Sequence, residues 1–318
     1  MVMAQSLFRV LQQHHPEAQI DVLAPAWSLG LLQRMPEVHQ GISLPVGHGQ
    51  FGWTIRRTLG QQLRSTGYTQ AIILPNSWKS ALVPCFANIP LRTGFLGEAR
   101  WGLLNDARQL DKQRLPMTVQ RFVALGFAPN TAIGDYPKPQ LLISASQQQQ
   151  VIAKFQLTHT TEVLALCPGA EYGPAKQWPA AHFAALAKWH IQQGKPVWIL
   201  GSAKDQAIAT AINQACGGQC TDFSGHTQLS EAIDLLSLAT AVVSNDSGLM
   251  HIAAALGKKL IALYGSSDPT FTPPLSEQAE IISLHLPCAP CFKRVCPLGH
   301  TRCLTEITPE QVWAQLTV

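Results

Sequence analysis

Apolar positions open the chain at helical spacing. Met3, Leu7, Val10 and Leu11 recur at i, i+4, i+7 and i+8, and Pro16 closes the run, so the first element reads as a helix. Gln19–Ala24 then reads as a short strand, a helical stretch follows near Ile55–Leu63, and Ala71–Leu74 reads as another strand. Strands and helices alternate here as in half of a doubly wound parallel sheet. Domains of this kind normally begin with a buried strand that feeds the first helix through a ligand-binding loop, whereas here the helix comes first. Beyond residue 150 the alternation is cleaner, with apolar strands at Val163–Cys167, Val197–Leu200, Ala241–Ser244 and Leu260–Tyr264. Amphipathic helices near Ala180–Gln193, Asp205–Ala215, Leu229–Ala239 and Gly248–Leu256 separate and follow them. Crossovers of that length imply parallel strands with right-handed connections. A short helix over Pro309–Leu316, capped by Thr308, ends the pattern.

The polar stretch Asp135–Gln150, with two prolines and four consecutive glutamines, reads as a linker region. It divides the chain into α/β domains over 1–150 and 151–318. A chain of 318 residues, 46% hydrophobic and 13% charged, is long enough for two such domains and for a substantial core. No apolar run approaches the roughly 20 residues that span a bilayer, and no signal-peptide pattern opens the chain, so the expected compartment is the cytoplasm.

Charge separates the halves more than the total of +4 suggests. Residues 1–150 carry 13 Lys and Arg against 7 Asp and Glu, and residues 151–318 carry 10 against 12. A basic first half fits an anionic partner as well as it fits a solvated basic face. No basic run is interleaved with aromatics, which weighs against nucleic acid. Of the eight cysteines, four cluster as Cys288-x2-Cys291-x4-Cys296-x6-Cys303. Four thiolates at short spacing can reach one tetrahedral metal, yet this spacing lacks two C-x2-C knuckles, and a reduced, partly buried loop is the plainer reading.

In open parallel sheets ligands gather at the carboxyl ends of the strands. After Val163–Cys167 comes a loop rich in small residues, Pro168–Pro179 (PGAEYGPAKQWP), with Lys176 as its single cation. Small residues let a bulky anion approach the backbone, and a lysine neutralises phosphate charge; an exposed loop lysine is the bland alternative. Ala241–Ser244 runs into Asn245-Asp246-Ser247-Gly248 and straight into a helix, whose free N–H groups and positive dipole end suit a phosphate. Ser247 or Asp246 could serve only as a helix cap, while a carboxylate there also suits sugar hydroxyls. His251, on the first turn, reaches a phosphate or packs. Asp205, after Val197–Leu200, suits ribose hydroxyls, and Gly265-Ser266-Ser267-Asp268-Pro269 forms another turn beside the same place. Neither a Walker-type lysine loop nor an ordered G-x-G-x-x-G is present.

These two motifs, together with Leu23-Ala24-Pro25-Ala26-Trp27, Leu74–Pro84 (LPNSWKSALVP), Arg92-Thr93-Gly94 and Gly102–Asp111 (GLLNDARQLD), resemble the ADP-heptose:lipopolysaccharide heptosyltransferases over nearly the whole chain. Those are inverting glycosyltransferases of the GT-B arrangement, with two Rossmann-like domains facing a cleft. The first-half stretches favour type II members over types I and III. The resemblance implies an acceptor-binding domain over 1–150 and a donor-binding domain over 151–318. Lys176 would stabilise the departing ADP electrostatically, with no cofactor. Asp246 would hold the heptose hydroxyls. The backbone at Ser247, Gly248 and Leu249, with His251, would hold the diphosphate, and Gly169 would lie against the donor. Asp205 would meet the ribose and Thr227 the adenine. Glu171 and Tyr172 stand where type I relatives have small hydroxyl residues. The implied acceptor is an anionic inner-core lipopolysaccharide precursor already bearing one heptose, reached by peripheral contact at the inner face of the inner membrane. Arg56, Arg57, Lys79, Arg92 and Arg100 are its candidate contacts.

The resemblance further implies a strand and a Gly-Asp loop just ahead of the opening helix, the Asp acting as general base. That Asp falls immediately before Met1, so Met1-Val2-Met3 reads as an internal start, and the chain as written is expected to bind donor with little turnover. A non-catalytic nucleotide-binding protein, and a transferase of type I or III, are the competing readings.

Overall fold

The computed structural model describes residues 1–47 and 49–317, apart from the Thr317 side chain. By internal contacts the chain forms two compact units, one of Met1 with Met3–Pro137 and one of Val2 with Lys138 onward.

The first unit runs α1 (Gln5–His14), β1 (Ile20–Ala24), α2 (Leu29–Leu32), β2 (Val38–Ser43), α3 (Trp53–Leu63), β3 (Gln70–Ile73), α4 (Leu82–Phe86), β4 (Leu91–Phe95), β5 (Asp106–Arg108) and α5 (Thr118–Ala124). The opening helix is formed, with Leu7 and Val10 on its buried face. All strand pairs are parallel, but instead of one sheet there are two, β1-β2 and β3-β4-β5. Among the described residues, β1 and β3 therefore pair along one edge only, and within them just Ala24 and Ile73 are buried. Side chains link the pieces: Tyr68 Oη donates to Asp21 Oδ2 on β1 over 2.5 Å, and Asp21 Oδ1 meets His39 Nδ1 on β2 at 2.9 Å. Helices α3 and α4 pack closely because Gly60 lacks a side chain; a Cβ there would lie 2.5 Å from that of Phe86.

The second unit opens with α6 (Ala145–Phe155), then β6 (Leu164–Cys167), α7 (Ala180–Gln192), β7 (Val197–Ile199), α8 (Gln206–Ala215), β8 (Thr221–Asp222), α9 (Leu229–Leu238), β9 (Ala241–Asn245), α10 (Gly248–Ala255), β10 (Lys259–Tyr264), β11 (Ala279–Ser283), α11 (Arg302–Thr305) and α12 (Pro309–Thr317). Six parallel strands lie in the order β11-β10-β9-β6-β7-β8. Helices cover such a sheet on both faces, which is why its central strands read as unbroken apolar runs. Every residue of β6 and β7 is buried. From β6 the chain winds outward to β7 and β8, then returns to β9 on the other side, so the strand order reverses between β6 and β9. That reversal is the topological switch point of an open α/β sheet.

Of the polar stretch read as a linker region, residues 135–144 form neither helix nor strand, and the rest begins a helix. Residues of the glutamine run lie inside α6, because Ser144 caps it: Gln147 N–H donates to Ser144 Oγ at 3.3 Å while Ser144 N–H donates to Gln147 Oε1 at 2.8 Å. Glutamine tolerates a helix well once a cap and a packing surface exist. Val151 supplies that surface, and Gln148 Nε2 donates to Ser237 Oγ of α9 at 3.0 Å. The division by contacts falls at Pro137, ahead of the boundary expected near residue 150. The Thr308 cap is formed, with Gln311 N–H donating to its Oγ1 at 3.3 Å.

Leu166, fully buried in β6 between layers that include Phe183 and Ile199, tests how much the unit depends on that strand. Leu166→Ala should lower the unfolding free energy of this unit by about 2–5 kcal/mol in urea denaturation.

Candidate active site

The switch point brings together the loops that leave β6 and β9. One buried amide organises both: Asn245, at the end of β9, accepts from Trp178 N–H at 3.1 Å and donates to the Pro168 carbonyl at 2.7 Å. The β6 loop is thereby held at both ends by a single side chain. Trp178 is itself fixed, its indole N–H donating to Ile307 O at 2.9 Å and its ring meeting Phe183 edge-on at 4.8 Å.

Between those anchors the loop projects Lys176, whose Nζ forms an ion pair with Asp246 Oδ2 across the crevice and lies 5.3 Å from the centre of the Tyr172 ring. Both charged side chains are largely shielded, at 17% and 6% exposure, so water weakens their attraction less than it does for a surface pair. Ser247 occupies the N-cap of α10, yet its side chain makes no cap hydrogen bond and faces Ser244 Oγ at 3.2 Å instead. The Ser247 side chain thus leaves the capping role unfilled, and the first turn of α10 starts at Gly248 and Leu249. His251 follows on that helix. Burial holds its pKa down to about 4; the Asp246 charge opposes this and Lys176 adds to it, so the imidazole is neutral at pH 7.

Asp205 lies on the β7 side. Its Oδ2 accepts from Ser202 N–H at 2.8 Å and from Ser202 Oγ at 2.7 Å, a local cap that leaves Oδ1 available. Gly169 is required beside it, because a Cβ there would stand 2.6 Å from the Asp205 carboxylate. Thr227 is half-buried on the loop after β8. The structure therefore gathers Lys176, Asp246, Ser247, Gly248, Leu249 and His251 at β6 and β9, with Gly169 and Asp205 beside them.

The sequence singled out Glu171, Ser266 and Ser267 only by their place after apolar runs or by resemblance, and missed Ser224 and the pairing of Glu171. Glu171 pairs with Lys204, tying the β6 loop to the β7 loop. Buried hydroxyls of Ser224, Ser266 and Ser267 at the ends of β8 and β10 have no hydrogen-bond partner. Their signal was position alone, just past apolar runs.

In the first unit three of the expected acceptor contacts, Arg56, Arg92 and Arg100, donate to backbone carbonyls. Arg56 donates to the carbonyls of Phe51 at 2.8 Å and Lys79 at 3.2 Å; Arg92 donates to those of Leu103 at 2.7 Å and Ile89 at 2.6 Å. Arg100 is fully buried and donates to the Pro75 and Phe95 carbonyls. A guanidinium carries five donors in a rigid fork, well suited to collecting unpaired carbonyls, and each of these three uses some of its donors that way. Arg57 is exposed, and Lys79 makes one long bond to Gln50 O at 3.3 Å.

The four clustered cysteines lie after β11. Among the described residues no three His, Cys, Asp or Glu side chains are grouped to hold an ion. The thiols lie near enough to affect one another: burial raises the Cys303 pKa, and the charges of Cys288, Cys291 and Cys296 add to that.

A doubly wound parallel sheet whose switch point holds a shielded cation, a carboxylate and an uncapped helix start marks an α/β protein with its crevice where such folds take ligands. Comparison with known proteins narrows the class. Residues 56–302 match the model of glycosyltransferase family 9 (heptosyltransferase). The chain is 47% identical over 326 residues to lipopolysaccharide heptosyltransferase 2 of Salmonella typhimurium, covering 99% of this chain and 94% of that one. It superimposes on the structure of Escherichia coli ADP-heptose lps heptosyltransferase II with a TM-score of 0.88 at 43% identity, covering 100% of this chain and 94% of that one. The E. coli heptosyltransferase WaaC with ADP shares the fold, with a TM-score of 0.69 at 18% identity and coverage of 99% and 96%. The chain belongs to glycosyltransferase family 9, the heptosyltransferases, and its fold class is GT-B.

Two measurements check the site. Asn245→Ala strands a buried N–H and a buried carbonyl, so it should destabilise the second unit by about 2–4 kcal/mol, whereas a surface Asn→Ala change stays within about 0.5. His251 binds its proton only near pH 4 when folded but near 6.5 when unfolded. Between those values the unfolded chain holds more protons, so stability present above pH 6.5 is lost as pH falls toward 4. Melting curves of His251→Asn should show a flatter slope across that window than the parent protein.

Proposed function

We propose that this chain transfers a heptose from ADP-L-glycero-D-manno-heptose to the first heptose of the inner-core lipopolysaccharide precursor, with inversion. The observation that carries the reading is the Lys176–Asp246 pair beside the uncapped start of α10. In the reaction the acceptor hydroxyl oxygen bonds to the anomeric carbon, the bond from that carbon to the diphosphate breaks, and the hydroxyl proton is released. Charge therefore builds on the departing ADP. Lys176 is the catalytic group, meeting that charge from a shielded position where it acts more strongly than in water. The N–H groups at Ser247, Gly248 and Leu249 hold the diphosphate. Neutral His251 joins them as a hydrogen-bonding partner rather than a second charge. Asp246 orients Lys176 and takes heptose hydroxyls; Asp205 takes the ribose through Oδ1, against Gly169, and Thr227 lies by the adenine. In this reading the second unit binds the donor.

The first unit binds the acceptor. Supporting this, Phe51 stacks on Trp53 at 5.9 Å and on Trp78 at 5.7 Å, and the Phe51 and Trp53 rings are 45% and 44% exposed. Arg57 lies one turn along α3 from Trp53, and Lys79 follows Trp78, so cations flank aromatic faces. Such a surface suits an anionic glycolipid at a membrane interface, where amphipathic rings are at home. No helix among the described residues is long and apolar enough to cross a membrane, consistent with peripheral contact at the inner face of the inner membrane from the cytoplasm.

Steady-state release of ADP from ADP-heptose and a mono-heptosylated acceptor tests the reading. Lys176→Gln should lower kcat by about a hundredfold or more. Arg57→Gln combined with Lys79→Gln should raise the acceptor KM several-fold with the donor KM unchanged. No transfer by the parent protein, or an unchanged rate for Lys176→Gln, would count against it.

A further inference from the structure

The cysteine-bearing segment that follows β11 does something the transferase reading leaves unexplained: it is fastened to the Lys176 loop. Ala175 N–H donates to the Arg294 carbonyl at 3.1 Å, and Tyr172 Oη donates to the Phe292 carbonyl at 2.7 Å. The two backbones touch so closely that a Cβ on Gly173 would stand 2.5 Å from the Arg294 carbonyl oxygen, in a residue whose φ of +151° already favours glycine. The segment is anchored in turn to the end of β10, where Phe292 N–H donates to Ser266 O at 2.7 Å.

That fastening delivers a second cation. The Arg294 guanidinium lies 5.1 Å from the centre of the Tyr172 ring, the same ring that Lys176 Nζ approaches at 5.3 Å. Arg294 is exposed, and among the described residues no carboxylate pairs with it, whereas Lys176 is paired with Asp246 and Lys204 with Glu171. Both lysines thus already face a carboxylate, and His251 is neutral at pH 7. Arg294 brings a cation with no carboxylate partner among the described residues to the ring that Lys176 also approaches, and a guanidinium suits a phosphoryl group.

Resting on the donor reading above, we propose that Arg294 is a further ligand-binding residue, a second cation that takes the terminal phosphoryl group of the nucleoside diphosphate. Strand order indicates which phosphate. Asp205 lies after β7, Lys176 after β6, Asp246 after β9 and the Arg294 anchor after β10, and these strands are neighbours in that sequence. A nucleotide with its ribose at Asp205 therefore reaches Arg294 with its distal end.

Calorimetric titration of the full chain with ADP and with AMP tests this. Arg294→Ala should weaken ADP binding by about ten- to a hundredfold, the worth of a charge-assisted contact, and leave AMP binding within about twofold. Arg294→Lys should recover most of the ADP affinity. Because Arg294 is exposed, melting temperatures should be unchanged. Unchanged ADP binding in Arg294→Ala overturns the proposal, and so does an equal loss for ADP and AMP, which would mean that the residue only braces the loop. A parent protein that binds neither nucleotide would instead overturn the donor reading on which the proposal rests.

Discussion

The side-chain amide of Asn245 is the interaction on which the site depends. Strands β6 and β9 are adjacent in space but separated by 73 intervening residues in sequence, and their loops must be placed relative to each other to within hydrogen-bond precision. One amide, donating to Pro168 and accepting from Trp178, fixes both ends of the Lys176 loop to the strand that presents Asp246. Because the group is buried, the alternative to these two bonds is not hydration but two unsatisfied backbone groups, so the arrangement is strongly preferred. The Lys176–Asp246 pair follows from this clamp rather than creating it.

Charge in this protein serves two different ends. In the second unit opposite charges are set close together around the crevice, Lys176 with Asp246 and Lys204 with Glu171, in a half of the chain that is net acidic. The first unit, by contrast, is basic by count, yet much of its positive charge is internal. Arg56, Arg92 and Arg100 bind carbonyls, and Arg108 joins Asp106 to the carbonyls of Ala124 at 2.9 Å and Phe127 at 2.7 Å. Burial lowers the pKa of Arg56 and of Arg100, an electrostatic cost that these hydrogen bonds offset. A residue count of charge therefore overstates what such a surface offers to an acceptor.

The segment from Cys288 to Cys303 acquires a structural meaning of its own. Its interest in the sequence lay in thiol spacing, whereas in three dimensions the groups that engage the site are the carbonyls of Phe292 and Arg294 and the Arg294 side chain. Backbone carbonyls leave no mark in a motif, since any residue supplies one.

What could be read from the sequence was what periodicity and local chemistry control. The strands and helices of the second unit lay within a few residues of their expected bounds, because buried parallel strands are continuous apolar runs and helices carry a 3.6-residue stripe. The residues clustered at the switch point were also legible, since they directly follow those runs. Long-range partners decided everything else. The glutamine run became a helix through the Ser144 cap and packing against α9, and the two-residue β8 and the edge strand β11 exist only by pairing with β7 and β10. The same holds for the arginines: whether a guanidinium faces solvent or a cluster of carbonyls depends on where distant backbone lies. Asn245, Tyr172 and Arg294 gain their roles in the same way, from groups that the sequence places far away and only the folded sheet brings within a few ångströms.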